Sequence, residues 1–462
     1  MRSINCTLLT CTAQLSLAVV LTAVPALCAD DSPLTHLVFQ RSLQSGVRDA
    51  NGKLITGTEI DFLAPHQGCL FASNCLWLET DPAVPKACHI LVLDSAKGQW
   101  RIERQFTGSL RCSVLKEITF STDGRGRAIA PVSLLLTAPD VRSGPVEVFC
   151  RDDATGQWSA SVLGTATRAT NTRSLGLHRD KVTGIDRIFA GNRPLGVVSG
   201  VYDPAAPGRI RWDKAAEVQA PAGERVMGFS DCNGILYAAT SRHIYQRADG
   251  VAPKWKDIYF CEKEVPSVGI RGLTAVPKPG GKGEVLWFAA SRRVRRLDPA
   301  ADFKETIELD MPAFLTEKLG VKTTFALSAY NELMSFTVPG TGEKLGIFGF
   351  ACSHPAAVVN SHPSIKARAQ MKENAQVIAA GNGRYVIRHA KGADLTFEVA
   401  EITDPREPQL VATRSIVVSP FPEDQSRVLY FAGYDCNSVP SHNTAWIYRG
   451  ELPRATQPKG TR

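Results

Sequence analysis

The residues of this chain best suited to chemistry stand in short polar stretches that follow apolar runs. The fullest such stretch is 434–443, which carries Asp435, Asn437, His442 and Asn443. An acid, amides and a histidine together suit sugar hydroxyls, a cation or a carboxylate. Asn74, Asn192, Ser241, Arg242, His243, Ser291 and Arg292 occupy comparable positions, each close behind an apolar run. Turns in which Asp and Asn satisfy their own backbone account for the same residue types without a ligand. A second set, His178-Arg179-Asp180 followed by Asp186, has general-base character and is placed to face a central channel. A hydrogen-bonded pair between neighbouring repeats is the simpler reading of it. Cys352, His354 and His362 have soft-metal donor atoms but no fourth ligand at a recognisable spacing, so no metal site is assigned. The run Arg292, Arg293, Arg295 and Arg296 reads as a solvated strand edge. There is no G-x-S-x-G, H-E-x-x-H, Walker loop, G-x-G-x-x-G or C-x-x-C-H.

The elements that must position these residues are strands. Gly68-Cys69-Leu70-Phe71-Ala72, Gly234-Ile235-Leu236-Tyr237-Ala238-Ala239, Val285-Leu286-Trp287-Phe288-Ala289-Ala290 and Val428-Leu429-Tyr430-Phe431-Ala432-Gly433 are continuous apolar runs bounded by turns. A strand apolar on both faces needs cover on both faces. Segment endings also repeat: Asp94-Ser95-Ala96-Lys97-Gly98-Gln99-Trp100 is matched by Asp152-Asp153-Ala154-Thr155-Gly156-Gln157-Trp158. Similar endings close on Trp212, Trp255 and Phe303, so an aromatic residue recurs at intervals of 58, 54, 43 and 48. Each interval suits one four-stranded unit with variable loops. Helical signal is confined to 312–319 and 364–376.

These apolar runs with recurrent Asp…Gly…Trp endings resemble the blades of secreted β-propellers of the broad kelch-like and sialidase-like kind. Asp94 and Trp100 stand one residue too far apart for the sialidase Asp-box, and the double glycine of kelch blades is missing, so no functional residue is carried over. The resemblance implies an all-β fold: a single propeller of about seven four-stranded blades, with six or eight open. The last unit supplies three strands, which predicts that 34–41 closes the ring as its fourth and protects the sheet edge. With Asp231-Cys232-Asn233-Gly234 and Thr122-Asp123-Gly124 as turns between first and second strands, the polar stretches share the opposite face, around the channel mouth.

The first residues read as an export signal. Arg2 precedes an apolar stretch too short to span a bilayer, and small residues at Ala26, Cys28 and Ala29 precede Asp30 and Asp31. The expected organisation is a signal peptide over 1–29, the propeller over 30–452 and a flexible tail over 453–462, with a secreted or periplasmic monomer as the product. A lipoprotein cut at Cys28 is the lesser alternative. Of twelve cysteines, nine follow the signal and are expected to form some disulfides, Cys69 with Cys75 and Cys232 with Cys261 among the pairings considered. The modest net charge of +8, spread along the chain, argues against a nucleic-acid partner, and no later apolar run is long enough to span a membrane. Two functions fit: a binding scaffold for a glycan or protein on the loop face, or a hydrolase or lactonase. No cofactor is implied, although the enzyme reading admits a calcium ion at the channel mouth. Two carboxylates converging there would favour the enzyme.

Overall fold

The computed structural model describes residues 32–453 apart from 77–82, 167–169, 263–268, 321, 324, 329–330, 356–376, 380–382, 404–411 and 435–441. Each expected apolar run is the second strand of a four-stranded antiparallel sheet, as in Cys69–Cys75, Ile235–Thr240, Glu284–Ala290 and Val428–Tyr434. Every residue of Val428–Tyr434 is buried, because neighbouring sheets cover both of its faces. Asn233 and Gly234, both at positive φ (53° and 70°), turn the chain from the first to the second strand of one blade. Paired positive φ values match the twist of a two-residue hairpin.

The sheets form a seven-bladed propeller, with blades at 59–107, 112–166, 171–212, 226–260, 271–310, 325–401 and 412–451. The first strands of blades 1 to 5 contact one another in sequence around the axis, and the first strand of blade 7 contacts the second strand of blade 6 on one side and the first strand of blade 1 on the other. In blade 6 the inner and third strands are each split in two, giving six segments in place of four. Blade 7 takes its fourth strand from Val38–Gln44, paired antiparallel with Ala445–Glu451. The ring is thus closed by hydrogen bonds between the two ends of the described chain, slightly downstream of the 34–41 expected.

Hydrophobic burial is divided among seven clusters, one at each interface between adjacent blades. The recurrent tryptophans sit beside or within the outer strands and tie each blade to the one before it. Trp100 donates from Nε1 to Ser42 Oγ (2.9 Å), Trp158 to Glu103 Oε2 (3.2 Å), Trp212 to Ser161 Oγ (2.9 Å) and Trp255 to Glu217 Oε2 (3.0 Å). Each such bond contributes about 1 kcal/mol beyond the packing of the ring. Phe303, which has no polar atom to offer, instead packs edge-on against Tyr237 at 6.2 Å.

The helix expected over 312–319 is Met311–Leu319, capped by the Asp310 side chain and ended by Gly320 at φ 65°. The one expected over 364–376 lies outside the described residues. All eight described cysteines are free thiols. The pairing of Cys69 with Cys75 is corrected by the strand itself: they are its two ends, about 20 Å apart at strand rise. Cys232 closes the first strand of blade 4, whereas Cys261 follows its fourth, and the two are not bonded. The thiols that do meet are Cys88 and Cys112, with Sγ atoms 3.3 Å apart between blades 1 and 2. Among the described residues no helix is long and apolar enough to cross a membrane.

Candidate binding site at the channel mouth

Six inner strands carry an irregularity near their start, and in four of them a single residue is skipped. Pairing slips between Ile60 and Phe62, Thr172 and Ser174, Val226 and Gly228, and Thr413 and Ser415. A bulged residue drops out of the ladder and its side chain is re-aimed. The residues singled out are Asp61, Arg173, Met227 and Arg414. Arg111, Arg225 and Arg271 stand at or just before the starts of three inner strands. The same end of the channel therefore collects one acid-rich blade and arginines from several others.

Glu59 and Asp61 of blade 1 are fully buried and held from both sides. Arg111 Nη2 donates to Glu59 Oε1 and to Asp61 Oδ1, both at 3.0 Å, and its Nε closes a further bond to Asp61 Oδ2. From blade 7, Arg414 pairs through Nη2 with Asp61 Oδ1 (2.5 Å) and through Nη1 with Glu59. Burial opposes the Arg111 cation, but the Asp61 charge and hydrogen bond outweigh it and hold the guanidinium above its ordinary pKa. Cys75 Sγ donates to Asp61 Oδ2 at 3.4 Å, and burial with the nearby Asp61 charge raises the thiol well above its usual range. Glu59, Asp61 and Cys75 bring ligand atoms within 4.8 Å of one another. That spacing would suit a cation, but the two arginines engage the carboxylate oxygens that a cation would need.

The inner strands line a cavity of about 550 Å³, with Phe62, Leu115, Arg173, Leu175, Phe229 and Arg271 among its walls. Asp140, just after the second strand of blade 2, accepts from Ser113 Oγ (2.7 Å), and burial raises its carboxyl to about 6. Burial and the neighbouring Arg111 and Arg271 charges push Arg173 down to about 9.

The residues expected to bind ligand have other work. Asn74 is fully buried and donates to the Thr56 carbonyl (3.0 Å). Asn192 donates to Thr172 Oγ1 (2.9 Å) and accepts from Thr170 Oγ1 (3.0 Å). Arg242 pairs with Glu224 (3.1 Å), and His243 with Asp257 (2.6 Å). Ser241 accepts from the Arg225 backbone NH (3.1 Å). Arg292 is exposed in a tight turn, its carbonyl taking the Met311 NH. The rest of that run faces acids of the neighbouring strand or beyond: Arg293 pairs with Asp310, Arg295 with Glu305 and Arg296 with Glu308. The His442 carbonyl accepts from Gly57 NH, and the Asn443 carbonyl from Gln44 Nε2, so both help seat the closing blade. Asp435 and Asn437 lie outside the described residues, as do His362 and the side chain of His354.

His178 and Asp180 lie at the opposite end of the inner strand, between blades 3 and 4. His178 bonds through Nδ1 to Asp231 (2.7 Å) and through Nε2 to Asp249 (3.0 Å). Burial lowers its pKa, but the two carboxylates outweigh burial and raise it. Arg247, fully buried, joins Asp180 (2.9 Å), Asp249 (2.6 Å) and Glu217 (2.8 Å). His66 repeats the device between blades 1 and 2, bonding to Glu117 (2.5 Å) and Asp153 (2.8 Å). These groups fasten blades together.

Sequence reasoning missed the mouth residues Glu59, Asp61, Arg111, Arg173, Arg225, Arg271 and Arg414. One signal was present: Thr172-Arg173-Ser174-Leu175 is repeated as Thr413-Arg414-Ser415-Ile416, a short polar insertion at the start of two inner strands. No family model matches the chain, and no curated protein is significantly similar to it. Among solved structures it is similar to the α-L-arabinofuranosidase Arb93A from Fusarium graminearum in complex with an iminosugar inhibitor, at 10% identity and a TM-score of 0.40 over 89% of this chain and 99% of that one. It is also similar to the β-propeller domain of Cps50 (Swd1) from Myceliophteria thermophila, at 14% identity and a TM-score of 0.43 over 88% and 99% of the two chains. The likeness is one of β-propeller fold, without family-level support for a kelch or sialidase kind.

Proposed function

We propose that the protein is exported and works as a non-enzymatic binding scaffold, taking a glycan or protein partner on the face around the channel mouth. One observation carries this reading: Glu59 and Asp61, the carboxylates that converge at the mouth, are fully buried and engaged by Arg111 and Arg414. A general acid must give up a proton to substrate and a nucleophile must reach it. Here guanidinium groups stand where substrate would have to be. The surrounding surplus of arginines favours holding a ligand over cleaving one.

The test is to screen the mature protein on an array of neutral and acidic glycans and against soluble protein candidates. Hits are repeated with Arg225→Met at the mouth and with Arg101→Gln, a half-buried outer-strand arginine paired with Asp94. Binding lost in the first variant and kept in the second is the expected outcome. Turnover of aryl glycosides or lactones that vanishes in Glu59→Gln would overturn the reading. Export is checked by sequencing the mature N-terminus, expected at Asp30.

A further inference from the structure

We propose that Arg173 and Arg225 at the channel mouth hold a doubly charged oxyanion, the phosphoryl group of phosphate or of a phosphate monoester. The proposal rests on the mouth being a binding site and names what binds there. Arg173 is the bulged residue of its inner strand and lines the cavity, yet its guanidinium has no hydrogen bond or ion pair with any described residue. The Arg225 side chain, half-buried ahead of the next inner strand, likewise has no such partner among the described residues. Arg193, at the end of the second strand of blade 3, is close enough to Arg225 to disfavour its charge.

Charge counting gives the size of the deficit. Among the described residues, Glu59 and Asp61 are matched by Arg111 and Arg414. Arg173, Arg193, Arg225 and the cavity-lining Arg271 then face Asp140 and the cavity-lining Glu332, an excess of two positive charges. Guanidinium groups that depress one another in a partly desolvated cavity are costly to the empty protein, and an anion between them removes that cost. A phosphate monoester carries close to two negative charges at neutral pH and three acceptor oxygens, enough to meet donors from two blades at once. A cavity of about 550 Å³ has room for a substituent of monosaccharide size behind the phosphoryl group.

The experiment uses the mature protein at constant ionic strength, with calorimetric titration and melting curves. The probes are inorganic phosphate, glycerol 2-phosphate and the singly charged methyl sulfate. Saturable binding of phosphate or its ester is expected, with methyl sulfate weaker and Arg173→Met weakening the ester by about tenfold or more, as loss of a charged hydrogen bond would. The two phosphate arms tell the free ion from an esterified ligand. Without ligand, Arg173→Met melts no lower than the wild type, because it removes repulsion and no partner. Equal affinity of wild type and Arg173→Met, absence of phosphate binding, methyl sulfate binding as tightly as the ester, or a lower melting point of the unliganded variant would each overturn the proposal. Phosphate binding with no glycan or protein partner would instead sink the scaffold reading. A neutral partner lost in Arg225→Met, with no phosphate binding, would spare that reading and sink this one.

Discussion

Arg247→Met isolates what the buried charges between blades 3 and 4 do. Methionine keeps most of the apolar stem but leaves Asp180, Glu217 and Asp249 without their shared cation, inside a region where Arg247 and Asp180 are wholly shielded from solvent. Removing one partner of a buried ion pair costs roughly 3–5 kcal/mol. With an unfolding entropy near 2.1 cal/mol/K per residue, such a loss lowers Tm of a chain this long by roughly 3–6 °C. The loss also has a pH signature. Hydrogen bonds from backbone NH groups and Arg247 overcome burial and hold Asp180 below its ordinary pKa, so its contribution is present above the unfolded-state value and fades as pH falls through the folded one. The wild type keeps that contribution at both pH 7.5 and pH 4.5, whereas the variant's stranded carboxylates protonate more readily as pH falls and recover part of the loss, so the gap narrows at pH 4.5. Melting curves followed by circular dichroism at pH 7.5 and pH 4.5 measure it. A loss below about 1 °C, or a gap of equal size at both pH values, would show that packing alone holds this interface.

Three further outcomes follow from the same contacts. Because His178 has a folded pKa raised above 6.5, its stabilisation is complete below that value and lost as pH rises through the folded pKa; His178→Asn removes that slope, and a variant with the wild-type pH profile refutes the assignment. A chain lacking residues 30–44 exposes the edge of Ala445–Glu451, and size-exclusion chromatography should show association or loss of the folded peak; an unchanged, equally stable monomer would mean the N-terminal strand closes nothing. Cys88 and Cys112 should form a disulfide under mild oxidation, read as the loss of two hydrogens by mass spectrometry and abolished in Cys88→Ala, whereas persistent free thiols would contradict the observed approach.

The ring was legible because its demands repeat. Continuous apolar runs such as Val428–Tyr434 have to be covered on both faces, and Trp100, Trp158, Trp212 and Trp255 mark the same place in successive blades. The closing strand was legible from a shortage, since the last unit has three strands of its own. The site was not legible, for a geometric reason. The polar residues at the ends of the second strands are engaged within the fold: Asn74 and Asn192 satisfy backbone and side-chain partners, and Arg242 meets Glu224. The channel is instead addressed by bulged residues such as Asp61 and Arg173. Only a register shift brings these into the mouth, and register depends on partner strands distant in sequence. His178 and Asp180 have charged partners on blade 4, more than fifty residues away for His178 with Asp231, so no local pattern separates a staple from a catalytic base.

The most direct test of the channel mouth as a phosphoryl-binding site is hydrogen exchange of the mature protein, read by mass spectrometry with and without glycerol 2-phosphate. Slower exchange is predicted at the starts of the inner strands, around 171–175 and 225–229, with no change in Arg101–Thr107 on the outer edge of blade 1. Unchanged exchange at the mouth, or protection confined to outer strands, would contradict it.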